Sequence, residues 1–117
     1  MTGLTSPYTM VLNGSSPEPG SELRIDFLNV KKAALILRAL NHKLRQQMLQ
    51  LLDEKQKMMV TELYVQLRLE QSVASQHLAI LRRAGMVVTS REGKFIYYSV
   101  NHKRLAEIYQ FVEQLLG

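Results

Sequence analysis

Ser72, Ser75, Gln76, Ala79 and Arg83 recur at intervals of three and four, so a helix over this stretch would bring them onto one face. Ala74, Leu78 and Leu81 fall on the opposite face, at i, i+4 and i+7, and would anchor such a helix to a core. The outer face is small and polar and closes on an arginine. It could enter a DNA major groove, about 12 Å wide, without steric obstruction. A glutamine there can offer its amide to adenine N6 and N7, a serine can donate to a base edge or a phosphate, and an alanine leaves room for a thymine methyl. Ser72, Ser75, Gln76 and Ala79 are therefore the candidate base-reading residues. Arg82 and Arg83 lie near the helix end, where phosphate contacts are favoured over base contacts.

The elements that must position this face are legible from periodicity. A helix is expected from about Gln71 to Ala84, stopped by Gly85. Before it, Thr61 is expected to cap a short helix carrying Leu63 and Leu67, with a turn at Arg68–Glu70 between the two. After it come two β-branched and aromatic runs, Met86–Ser90 and Phe95–Val100. Arg91-Glu92-Gly93-Lys94 separates them, which reads as a β-hairpin with a basic tip. Arg91 and Lys94 suit a wing lying over the DNA backbone or in the adjacent minor groove. Upstream, a helix is expected from about Ile25 to Leu40. A second, capped by Asn41, runs to about Glu54 with Leu44, Met48, Leu51 and Leu52 on one face, and Met58-Met59-Val60 reads as a short strand. Asn101 caps a last helix bearing Leu105, Ile108, Tyr109, Val112, Leu115 and Leu116. Residues 1–22, rich in Ser, Thr, Gly and Pro, read as a flexible tail, and residues 23–117 as one domain. The fold class expected is mainly α (α+β), a winged helix-turn-helix with a two-stranded hairpin wing.

Charge placement agrees with this reading. The net charge is +5, and residues 68–104 hold seven basic side chains (Arg68, Arg82, Arg83, Arg91, Lys94, Lys103, Arg104) against Glu70 and Glu92. The rest of the 117-residue chain is balanced. The absence of cysteine excludes disulfides, thiolate metal sites and cysteine nucleophiles. With no Ser-His-Asp order, no Gly-rich phosphate loop and no plausible carboxylate pair, the chain does not read as an enzyme. No cofactor is expected. No apolar run approaches the ~20 residues needed to span a bilayer, and no secretory signal is visible, so a cytoplasmic location is expected.

Leu37–Arg45 running through Leu51-Leu52, Ser75–Val87 and Arg91–Tyr98 together resemble the ArsR/SmtB family of transcriptional repressors. These segments are similar to that family's second-helix start, its recognition helix leading into the first wing strand, and its wing. The resemblance covers roughly residues 30–116. It implies a homodimer built from the first and last helices, bound to an inverted-repeat operator in double-stranded DNA, with repression altered by some signal. Many members sense metals through cysteines at the start of the third helix, and the matching positions here are Met59, Thr61 and Tyr64. Others bind zinc between the paired last helices, and the matching positions are His102, Arg104 and Leu115. Arginine and leucine are not ligands, so no metal site is expected. His42-Lys43-Leu44 also replaces the family's common Asp-Pro-Thr.

The remaining residues have plainer readings. His77 borders the apolar face of its helix and reads as a packing or phosphate-contacting side chain. Met48, Met58 and Met59 read as core filler. The apolar excess on the terminal helices, with Leu28 and Leu35 on the first and Leu105, Ile108, Tyr109, Val112 and Leu116 on the last, is expected to be buried by dimerisation. A winged helix that meets a protein instead of DNA is the alternative use of the same stripe.

Overall fold

The structure, a computed structural model, describes residues 7–14, 18 and 20–117. Its elements in chain order are β1 (Thr9–Leu12), β2 (Leu23–Asp26), α1 (Phe27–Leu40), α2 (Lys43–Lys55), α3 (Val60–Leu67), α4 (Gln71–Arg83), β3 (Val87–Glu92), β4 (Phe95–Val100) and α5 (His102–Leu116). Two compact units emerge, one ending at Ile36 and the other spanning Leu37–Gly117.

The first unit places a strand within the stretch read as a tail. β1 pairs antiparallel with β2, from Thr9 opposite Asp26 to Leu12 opposite Leu23. Residues 1–6, 15–17 and 19 of that expected tail lie outside the described residues. The hairpin passes into α1 without a linker. The Phe27 N–H donates to the Tyr8 carbonyl at 2.8 Å, and the Asp26 carboxylate accepts from the Leu28 N–H at 2.8 Å. Asp26 thus caps α1, which is why the helix begins two residues after the expected Ile25.

In the second unit the core is built on Met48, Leu49, Leu51 and Leu52 of α2, Leu63 of α3, Ala74, Leu78 and Leu81 of α4, and Met86, Val87 and Ile108. Helix boundaries shift slightly from expectation. The Asn41 N–H still donates to the Leu37 carbonyl, so Asn41 closes α1, and His42 caps α2 by accepting from the Arg45 N–H at 3.5 Å. Met58-Met59-Val60 is not a strand. Only Met58 pairs, with Tyr98, and α3 starts at Val60 with Met59 rather than Thr61 as its N-cap. The Glu62 carboxylate, three residues on, accepts from the Met59 N–H at 2.9 Å and satisfies a donor left over by the helix start. Between α3 and α4, Arg68 takes a left-handed conformation (φ 57°), and this sharp reversal sets the helix-turn-helix.

The far end of α4 is closed by two bonds, Gly85 N–H to the Arg82 carbonyl (2.9 Å) and Met86 N–H to the Leu81 carbonyl (3.0 Å), which form a Schellman motif. Gly85 has φ +77°, and a Cβ there would lie 3.3 Å from Arg104 Nε. Arg104 packs over this turn and donates to the Ala84 carbonyl at 3.2 Å, which places a cation at the negative end of the helix. Gly85→Ala is therefore expected to destabilise the fold by about 1–2 kcal/mol, seen as a thermal midpoint several degrees lower by circular dichroism. An unchanged midpoint would mean that the turn relaxes at no cost.

Candidate nucleic-acid interface

The two faces of α4 separate as the spacing required. Ala74, Leu78 and Leu81 are buried, while Ser72, Ser75, Gln76, Ala79, Arg82 and Arg83 are all exposed. The apolar contacts orient the helix about its axis, and that orientation leaves the small polar stripe facing outward.

His77 is held on the core flank rather than with the arginines. Its ring is half-buried and lies 4.8 Å from the ring of His42. Arg45 Nη1 donates to its Nδ1 at 3.1 Å. An arginine has no lone pair to offer, so Nδ1 must be the acceptor and the ring proton sits on Nε2. Burial, and then the nearby His42 and Arg45, hold the imidazole below its ordinary pKa. The half-buried ring packs against α2 and its cap, the first of the two roles expected for His77.

Arg45 is the one residue of this group that sequence reasoning missed. It is 6% exposed, the one buried charged side chain among the described residues. Its guanidinium donates to the Ala39 carbonyl at 2.7 Å and the Arg38 carbonyl at 3.0 Å, as well as to His77. The signal was present: Arg45, Met48, Leu49 and Leu52 stand at i, i+3, i+4 and i+7 on the buried face of α2.

The wing is a hairpin with a two-residue turn. Glu92 pairs with Phe95, so β3 runs through Arg91 and Glu92, and only Gly93 (φ +64°) and Lys94 form the tip. Arg91 Nε donates to the Gly93 carbonyl at 3.1 Å, and the Lys94 ammonium lies 5.5 Å from the centre of the Phe95 ring. Both cations remain exposed. Two contacts from the α2–α3 connection steady the wing. Met58 and Tyr98 exchange both backbone hydrogen bonds, at 3.0 and 2.8 Å. Lys57 Nζ meets Glu92 Oε2 at 2.6 Å and stands 4.8 Å from the Tyr97 ring centre. The Glu92 hydrogen bond raises the Lys57 pKa above its ordinary value. This pairing also neutralises the acidic residue nearest the tip, so Arg91 and Lys94 set the local charge. Tyr97 and Tyr98 are both half-buried.

Among the expected dimerisation residues, Leu28, Leu35, Tyr109 and Leu116 are exposed, and Leu105 and Val112 are half-buried. Ile108 is buried in the core of its own subunit, so it offers a partner little surface. Phe111 and Leu115, outside the expected set, are exposed on α5. Among the described residues, no group of three His, Asp or Glu side chains is placed to hold a metal ion, and no helix is long and apolar enough to cross a membrane. His102 Nε2 instead meets Asp53 Oδ1 at 2.6 Å.

Residues 42–89, which hold α2, the helix-turn-helix and the start of the wing, match the bacterial regulatory protein family arsR. An HTH-type transcriptional regulator of Methanocaldococcus jannaschii is 35% identical over 85 residues, which cover 73% of this chain and 96% of that protein. The chain belongs to the ArsR family. The transcriptional activator HlyU of Vibrio cholerae is 34% identical over 74% of this chain and 80% of its own length. The crystal structure of the transcriptional repressor PagR of Bacillus anthracis superimposes with a TM-score of 0.57 at 29% identity, covering 73% of this chain and 98% of PagR. As an ArsR-family winged helix-turn-helix protein, the chain is a DNA-binding transcriptional regulator and not an enzyme. The alternative of a module that contacts only protein is not favoured by these relatives.

Proposed function

We propose that this ArsR-family regulator is a cytoplasmic, dimeric repressor that binds an inverted-repeat operator. In this reading Ser72, Ser75, Gln76 and Ala79 meet base edges, while Arg82, Arg83, Arg91 and Lys94 hold phosphates. The observation that carries it is the division of α4 into a buried apolar face and an exposed face of small polar residues, flanked by a basic wing tip. Dimerisation is supported by the exposed apolar side chains of α5, and two copies would set two recognition helices about one DNA turn, ~34 Å, apart. The sign of regulation draws support from PagR, named as a repressor, whereas HlyU is named as an activator.

Fluorescence anisotropy against DNA from upstream of the chain's own gene, with random duplex as control, tests the reading. Tighter binding to the upstream DNA that falls steeply with salt is the expected result. A reporter driven by that DNA should then rise when the regulator is deleted, and a fall would make it an activator. Lys94→Ala should weaken binding to both duplexes alike and reduce the slope of log K against log salt by about one. A loss confined to the upstream DNA would instead give Lys94 a base-reading role.

A further inference from the structure

The described residues offer three places whose chemistry the operator-binding reading does not use: the His102–Asp53 pair, the apolar hairpin of β1 and β2, and the buried Arg45 with its two histidines. The first is an exposed hydrogen-bonded pair in which each partner is satisfied by the other. For the second, no contact identifies what would cover it. The third joins two functional parts of the fold through a charge that is costly to bury.

Arg45 makes three hydrogen bonds on two sides. Two of its nitrogens hold the last carbonyls of α1, at Arg38 and Ala39, and the third donates to His77 in the middle of α4. A buried guanidinium left without an acceptor is strongly unfavourable, so each of these acceptors is held in place by the need to satisfy it. His77 follows Gln76 directly and lies two residues from both Ser75 and Ala79. Fixing its ring therefore fixes the rotation and the depth of the helix at the centre of the exposed stripe.

We propose that Arg45 is a positioning residue for operator reading, acting through neutral His77, and that protonation of His77 releases the recognition helix from this hold. The inference rests on the reading of α4 as the base-contacting helix. A proton on Nδ1 removes the acceptor and sets a second positive charge against a guanidinium that cannot deprotonate. The charged and titratable groups acting on the His77 ring come from α2 and its cap, namely Arg45 and His42. Among the described residues, α3 and β3, which also pack on α4, contribute none, so no carboxylate compensates the added charge. The lowered pKa of His77 gives the direction. The hold is complete above the ordinary imidazole value of about 6.5 and is lost as pH falls through the depressed value below it.

The test uses a duplex selected from a randomised pool by the wild-type protein at about pH 8, with random duplex as control, and binding measured down to about pH 5. Specific affinity should fall about tenfold or more in acid, while binding to random duplex holds or strengthens because the protein gains positive charge. His77→Asn places an amide oxygen where Nδ1 was and cannot titrate. It should keep most of the specific affinity at about pH 8 and lose the acid decline. An acid decline that survives in His77→Asn would overturn the proposal. So would a wild-type profile in which specific and random binding change together. Failure to select any duplex would count against α4 as the reading helix. A second readout then decides the coupling without DNA. In NMR spectra of the free, folded wild-type protein, the amide signals of Ser75 and Gln76 should move with the midpoint of the His77 ring titration, and should stay flat in His77→Asn. Signals that do not follow His77 would remove the coupling whatever the DNA result.

Discussion

Replacing Gln76 by alanine should weaken binding to the operator by about 1–3 kcal/mol, roughly 5- to 150-fold, and should leave binding to random duplex almost unchanged. Gln76 is exposed on the same face as Ser72, Ala79 and Arg83, and its immediate neighbours there, Ser72 and Ala79, are too small to obstruct a base pair. A bidentate amide lost to a base edge is lost only where that base is present. The phosphate contacts that carry random binding come from other side chains. Because Gln76 is exposed, the variant should melt with the wild type, which separates a reading defect from a folding defect. Equal losses on both duplexes would show that Gln76 does not discriminate bases. Ser75→Ala on the same assay should give a smaller effect, since a single hydroxyl makes one bond where the amide makes two.

The parts of this fold that were legible in the sequence are those where one pattern is long enough to be unambiguous. The two faces of α4, the glycine stop at Gly85 and the Asn101 cap, which accepts from the Arg104 N–H at 3.2 Å, all stand as read, and the wing hairpin is where it was read, though its first strand runs on through Arg91 and Glu92. Short elements escaped. β1 and β2 are four residues each, and a hairpin so small has little periodicity to display within a stretch dominated by Ser, Gly and Pro. Met58-Met59-Val60 has a strand-like composition, yet its neighbour Glu62 satisfies the Met59 N–H and starts the helix early. Arg45 escaped for another reason. Its charge argued for the surface, and only the carbonyls at the end of α1 and the ring of His77, remote in sequence, make its burial tolerable. Ile108 is the reverse case, an apolar residue that the subunit's own core buries. An apolar stripe on α5 does not reveal which of its members the subunit's own core will claim.

That last distinction yields a sharp prediction, because two adjacent residues of α5 should answer the same substitution in opposite ways. Ile108 is 6% exposed and Tyr109 is 59% exposed. Ile108→Glu buries an unpaired carboxylate in the core and should unfold the subunit. Tyr109→Glu leaves the monomer's packing alone and acts only where a second copy would cover it. Tyr109, Val112 and Leu116 succeed one another at i, i+3 and i+7, so a partner helix laid along them would bury a continuous apolar strip worth about 25 cal/mol per Å². A glutamate at its first position both removes the largest contact and places a charge there without a counter-ion. Sedimentation at micromolar concentration should therefore find a dimer for the wild type and a folded monomer for Tyr109→Glu. Operator affinity should drop by about a hundredfold or more, because a single helix-turn-helix reads only one half-site. A Tyr109→Glu protein that remains a dimer would move the interface to another surface. The exposed faces of α1, where Leu28 and Leu35 stand one heptad apart, would then be the next to carry a charge.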